Sequence, residues 1–206
     1  MAQSVVTDPV CSRANPTELE LVLVLPGSTE LDSQGRIQGS LDVPLNPAGN
    51  RQAEQFAREL RNKSLDVIYC SPCLSARQTA GVIAGDQTRV RVQEDLKNLD
   101  RGLWHGKQRK ELQHSQPRLY RQWKEQPETV CPPGGETIDQ ARKRVVRVLE
   151  RILRKHKRGT IGLVVPEPAA SVVRQQLLGG ESLGDLWQAE SRHGIWESIA
   201  PQSRPA

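Results

Sequence analysis

Three short apolar runs, each stopped at or near a proline, constrain this chain more than any other feature. Leu19-Glu-Leu-Val-Leu-Val-Leu25 ends at Pro26-Gly27, Asp66-Val-Ile-Tyr69 leads into Cys70-Ser71-Pro72, and Thr160-Ile-Gly-Leu-Val-Val165 ends at Pro166. Runs this short and this continuous read as strands of a sheet covered on both faces. Helical patterns lie between them. Asn46-Pro47 supplies an N-cap and a proline in the first turn, and Ala53, Phe56, Ala57 and Leu60 share one face of a helix reaching about Asn62. A second helix is expected from Leu74 to Ala84, and a long amphipathic one from Thr137 to His156 with Val145, Val148, Leu149 and Ile152 inward. A last helix should follow Pro168, to about Leu178. Weaker signals predict a short strand over Val90–Val92, two short helices over Gln108–Glu125 broken near Pro117, and an edge strand over Ile195–Ile199. The segments Gly35–Pro47 and Cys131–Gly135 read as loops.

Alternating strands and helices imply an α/β fold, a three-layer sandwich with a largely parallel central sheet. In such sheets ligands bind beyond the carboxyl ends of the strands. The segments beginning at Leu25, Cys70 and Pro166 are therefore where a site should lie. A length of 206 residues suits one domain. It is expected over 18–199, with a polar leader over 1–17 and a short tail over 200–206. Neither a membrane-spanning run nor a basic start followed by an apolar stretch is seen. The four cysteines are scattered. The chain therefore reads as cytoplasmic, with no membrane partner.

The strand ends sit in an ordered series of short motifs. Gly27-Ser-Thr-Glu30 is followed by Gly35-Arg-Ile-Gln-Gly39, Asp42, Pro44-Leu45, Gly49 and Gln52-Ala53. Then come Ser71-Pro72, Ala76-Arg-Gln-Thr-Ala80, Leu96, Gly102, Trp104, Gly106, Pro132, Gly134-Gly-Glu136 and Arg142. In order and spacing the series, over about 19–178, resembles the histidine phosphatase (phosphoglycerate mutase-like) superfamily. That resemblance implies the phosphoglycerate mutase-like fold, no cofactor and no metal. It also implies a set of roles: a histidine after the first strand that carries the phosphoryl group, two arginines and a second histidine that clamp its oxygens, and a carboxylic acid that protonates the leaving group.

Carried over position by position, none of those roles is filled. The family's Arg-His-Gly appears as Leu25-Pro26-Gly27, its clamping arginine as Ser75, its acid as Asn98, and its second histidine as Glu167, followed by Pro168 where glycine is usual. Arg77 lies two residues past Ser75, roughly 200° around a helix, and would point away. With arginines and histidines gone and a carboxylate present, the pocket is expected to hold phosphate weakly. The resemblance thus predicts a divergent member without the catalytic motif, a pseudoenzyme with a binding or scaffolding role toward a protein or a small polar ligand. One alternative is a divergent phosphatase, phosphomutase relative or other hydrolase using different residues. Residual pocket candidates are Asp32, Arg36, Gln38, Asp100, His105 and Glu167. Asp32 and Glu167 would favour a cationic or neutral polar ligand.

Three further signals have plainer explanations. Cys70-Ser-Pro-Cys73 has the spacing of half a zinc or redox site but no partner pair, and reads as packing. Trp104, Trp123, Trp187 and Trp196 read as packing residues, although Trp123 and Tyr120 on an exposed lid would offer an apolar surface. The segment 142–158 is densely basic. An electrostatic binder acting through it is a further alternative, but the favoured reading is the solvated face of a core helix. With no aromatic residues interleaved to stack on bases, nucleic acid is not the expected partner.

Overall fold

The computed structural model describes residues 18–179 and 192–200. The expected leader over 1–17, the tail beyond residue 200 and Trp187 lie outside them. A five-stranded sheet forms the centre: β1 (Leu19–Val24), β2 (Val67–Cys70), β3 (Arg89–Val92), β4 (Gly159–Val164) and β5 (Trp196–Ile199), in the order β3-β2-β4-β1-β5. The first four strands are parallel, and β5 runs antiparallel to β1. The sheet is therefore mixed, with one antiparallel edge.

The helices are α1 (Glu30–Ser33), α2 (Pro47–Glu59), α3 (Leu74–Ala84), α4 (Arg109–Ser115), α5 (Pro117–Glu125), α6 (Ile138–Lys155) and α7 (Ala169–Leu178). Their ends follow local chemistry. The Asn46 side chain accepts from the Gly49 N–H with Pro47 in the first turn, and Thr137 and Gln140 form a capping box that opens α6. The break at Pro117 separates α4 from α5 as the sequence predicts. The α2 pattern expected to run to Asn62 instead stops at Glu59, and a 3₁₀ turn covers Arg61–Lys63. The short helix α1 is not anticipated by hydrophobic periodicity. It is a single turn, set by a capping box between Thr29 and Asp32.

Strand alternation sorts the core into two layers. Leu21, Leu23 and Leu25 join Tyr69, Ile161 and Leu163 beneath α6 and α7, whereas Val22, Val24, Ile68 and Val164 face α2 and α3. A third, smaller cluster lies under α4 and α5, where Ile37, Trp104, Leu112, Trp123 and Val130 pack together. Trp123 is fully buried, with its ring 5.0 Å from that of Trp104. It offers no exposed apolar surface, because it is the centre of this subsidiary core.

Two outcomes follow for stability. Leu149 on α6 is wholly buried in the larger layer, so Leu149→Ala should cost about 2–5 kcal/mol in chemical denaturation. His156, at the end of α6, meets the Tyr69 hydroxyl at 2.9 Å. Burial, and then the charges of Lys155 and Arg91, hold its imidazole below the ordinary range. The unfolded chain therefore takes up a proton near pH ~6.5 that the folded ring resists. Stability is full above that pH and should fall as pH drops through it. Denaturation midpoints measured from about pH 5.5 to about 7.5 (roughly one unit either side) should show the slope shrinking in His156→Gln.

Candidate functional site

The carboxyl ends of β1 and β4 lie side by side, and the first turn of α3 and the segment after β3 close on them. These elements bring Pro26, Ser75, Asn98 and Glu167 to the wall of one cleft. Its free space is about 50 Å³, room for a few water molecules. Leu25 does not join them. Its side chain is buried in the α6–α7 layer while its N–H donates to the Ile195 carbonyl at 2.8 Å. At the next step Gly27 passes so close to α2 that a Cβ would overlap the Gly49 carbonyl oxygen. Its N–H donates to Thr79 Oγ1 at 3.2 Å. Pro26, which lines the cleft, is thus held between two fixed neighbours.

The polar side chains at the strand ends bond to the frame. Glu167 Oε2 accepts from the Ser171 N–H at 2.9 Å and the Ser171 hydroxyl at 2.7 Å, and Oε1 lies 3.1 Å from Arg174 Nη1. Arg174 also donates to Glu197 at 2.6 Å. Asn98 Nδ2 donates to the Glu167 carbonyl at 2.7 Å, and its Oδ1 takes the Leu99 N–H at 2.9 Å. An acceptor-only carboxylate at position 98 could not make the first of these bonds. Arg144 donates to the carbonyls of Asp95, Lys97 and Asn98 while pairing with Glu136, which fixes the segment that carries Asn98.

Asp32, Arg36 and Gln38 line the same cleft. The Asp32 carboxylate is committed to the Thr29 N–H at 2.7 Å and the Thr29 hydroxyl at 2.9 Å. Arg36 donates to the Gly106 carbonyl at 2.6 Å and to Gln34 at 2.9 Å. Asp100 and His105, expected in the pocket, do not line it. Asp100 Oδ1 takes the Gly102 N–H at 2.8 Å in a turn. His105 Nε2 accepts the N–H groups of Arg101 and Ser40 at 3.1 and 3.2 Å, tying the 35–40 loop to the next segment. Gly39 sits against that ring, where a Cβ would overlap it. Arg77 faces Asp42 at 3.5 Å, away from the cleft.

Three lining residues escape the sequence pattern: Arg101, Arg192 and His193. Arg101 is buried, its guanidinium 5.4 Å from the Trp123 ring centre. Burial and then the neighbouring Arg109 charge lower its pKa to about 10. Arg192 and His193 arrive because the Gly194 N–H donates to the Pro26 carbonyl at 2.8 Å. The cleft holds more positive charge than Arg36, the arginine expected there, would give it. Arginines line it, and both of its carboxylates are bonded internally. Nor does Cys70 offer a reactive thiol, since burial, and then Cys73, push its pKa up to about 12.

The sequence pattern of the histidine phosphatase superfamily (branch 1) matches residues 21–201. The chain belongs to the histidine phosphatase superfamily. Phosphoserine phosphatase 1 of Hydrogenobacter thermophilus is 35% identical over 187 residues, 90% of this chain and 88% of that protein. A metal-independent phosphoserine phosphatase of Arabidopsis thaliana is 32% identical over 82% of this chain and 73% of its own length. Among solved structures, an Entamoeba histolytica phosphoserine phosphatase mutant in complex with phosphoserine superposes with a TM-score of 0.74 at 27% identity, covering 87% of this chain and 89% of that one. The α-ribazole phosphatase of Shigella flexneri shares the fold, with a TM-score of 0.76 at 24% identity over 87% of this chain and 89% of its own. The superfamily fold is thus present with its central sheet and flanking helices.

The Glu167–Arg174 pair gives a direct test of this frame. Glu167 is almost wholly buried while Arg174 reaches solvent. Arg174→Met should strand the carboxylate and cost about 3–5 kcal/mol. Adding Glu167→Gln should recover most of that loss in a double-mutant cycle read by urea denaturation.

Proposed function

We propose that this superfamily member forms no phosphohistidine at the family's position, and that its cleft serves binding of a small polar ligand or a protein segment. The observation that carries the reading is Pro26, a residue whose side chain has no nucleophilic atom, lining the cleft at the end of β1. The neighbouring substitutions support it. Ser75 is buried with its hydroxyl 3.6 Å from Cys73 Sγ, Asn98 has an amide in place of an ionisable acid, and Glu167 is spent on Ser171 and Arg174. Each side chain is bonded or packed in its new role, as expected of a remodelled frame.

A second reading is favoured by the comparisons. The relatives at 35% and 32% identity carry phosphoserine phosphatase names, which argues for a phosphoric monoester hydrolase working through residues other than the family's. Among the described residues that line the cleft, the imidazole that could serve is His193. The two readings separate in one assay. Purified protein given a panel of phosphomonoesters, phosphoserine included, should release no more phosphate than a buffer blank. Saturable release that disappears in His193→Ala would overturn the first reading and establish the second.

A further inference from the structure

The two halves of α6 differ in how their cations are used. At its start Arg142 pairs with Asp139 at 3.2 Å and Glu128 at 3.9 Å, and Arg144 with Glu136. The rest of its basic residues are treated otherwise. Lys143, Arg147, Arg151, Arg154 and Lys155 are exposed, and so are Lys157 and Arg158 in the turn that follows. None of these seven side chains makes a hydrogen bond or ion pair with a described residue. At 100° per residue, Lys143, Arg147, Arg151 and Arg154 fall within about 80° of one another and span about 16 Å along the axis. Glu150, on the flank of this row, is half-buried and already engaged.

The edge of the sheet extends the row. Arg89 pairs in register with Val67, and Arg91 with Tyr69. Val67 and Tyr69 belong to the layer under α6, so both arginines lie on that face. Arg91 and Lys155 act on the same ring, that of His156, which Tyr69 holds. Arg91 Nε is buried with no hydrogen bond to a described residue. The cations of α6, its trailing turn and β3 therefore lie on one side of the sheet, and none of them lines the cleft.

We propose that this face binds the phosphate backbone of duplex nucleic acid. A straight row of unpaired cations matches a line of regularly spaced phosphates, and the release of condensed counterions supplies the driving force. The lack of aromatic residues counts against stacking on single strands, not against backbone contact. No large apolar side chain is exposed on α6, which removes the wedge that an interfacial helix drives into a membrane. Binding of this kind positions the protein without reading sequence.

The test uses the whole chain, fluorescence anisotropy with a labelled duplex of unrelated sequence, and salt titration from about 50 mM upward. The expected slope of log K against log salt is about −4.5 to −6.3, for five to seven phosphate contacts. Arg147→Glu/Arg151→Glu/Arg154→Glu, all exposed, should weaken binding at least ~10-fold and reduce the slope by about 3. Arg61→Glu/Lys110→Glu/Arg118→Glu, an equal change of charge elsewhere on the exposed surface, should do much less. No binding at low salt, or equal loss in the two triple variants, overturns the proposal. Tighter binding to phosphatidylserine vesicles than to the duplex, lost in the first triple variant, also overturns it and makes the partner a membrane surface.

Discussion

The pairing of β1 with β4 carries the rest of the molecule. Six residues of each run in parallel register, from Leu19 opposite Gly159 to Val24 opposite Val164, at the middle of the sheet. Both strands are covered on both faces, so neither can slip by one residue without turning its apolar set to the wrong layer. That fixed register sets Pro26 and Glu167 beside each other just past the strand ends. The pairing of β5 with β1 then brings Gly194 onto the Pro26 carbonyl and His193 to the cleft. The site is a consequence of sheet register more than of loop conformation.

Within that frame, the polar side chains at the strand ends are coupled to one another. Asn98 can donate to the Glu167 carbonyl because it is an amide, and the Glu167 carboxylate is tolerated in the interior because Ser171 and Arg174 receive it. Arg174 in turn reaches Glu197 on β5, linking the turn after β4 to the antiparallel edge. Glu167 thus has a structural task at the end of β4. Two of the three arginines that line the cleft are likewise tied to the frame. Arg36 is engaged by Gly106 and Gln34, and Arg101 is packed against Trp123.

The strands and long helices were legible in the sequence because apolar runs and proline stops are local signals, as at Leu19–Leu25 and Asn46-Pro47. The single turn α1 escaped periodicity, although Thr29 and Asp32 stand at capping-box spacing. The convergence of Pro26, Ser75, Asn98 and Glu167 could be expected from motif order alone. The placement of Asp100 and His105 could not, since each is consumed by backbone N–H groups that a linear pattern does not reveal. His193 was missed for a related reason. Its presence at the cleft depends on an antiparallel strand more than 160 residues from β1 in sequence, and no local motif marks it.

On the proposed reading, the cleft at the end of β1 does not carry a phosphoryl group covalently. Intact-protein mass spectrometry after rapid acid-free quenching, with the chain incubated in excess phosphoserine, tests it most directly. The account predicts one species at the unmodified mass at every time point. A second species heavier by one phosphoryl group, appearing with substrate and decaying as substrate is exhausted, would contradict it.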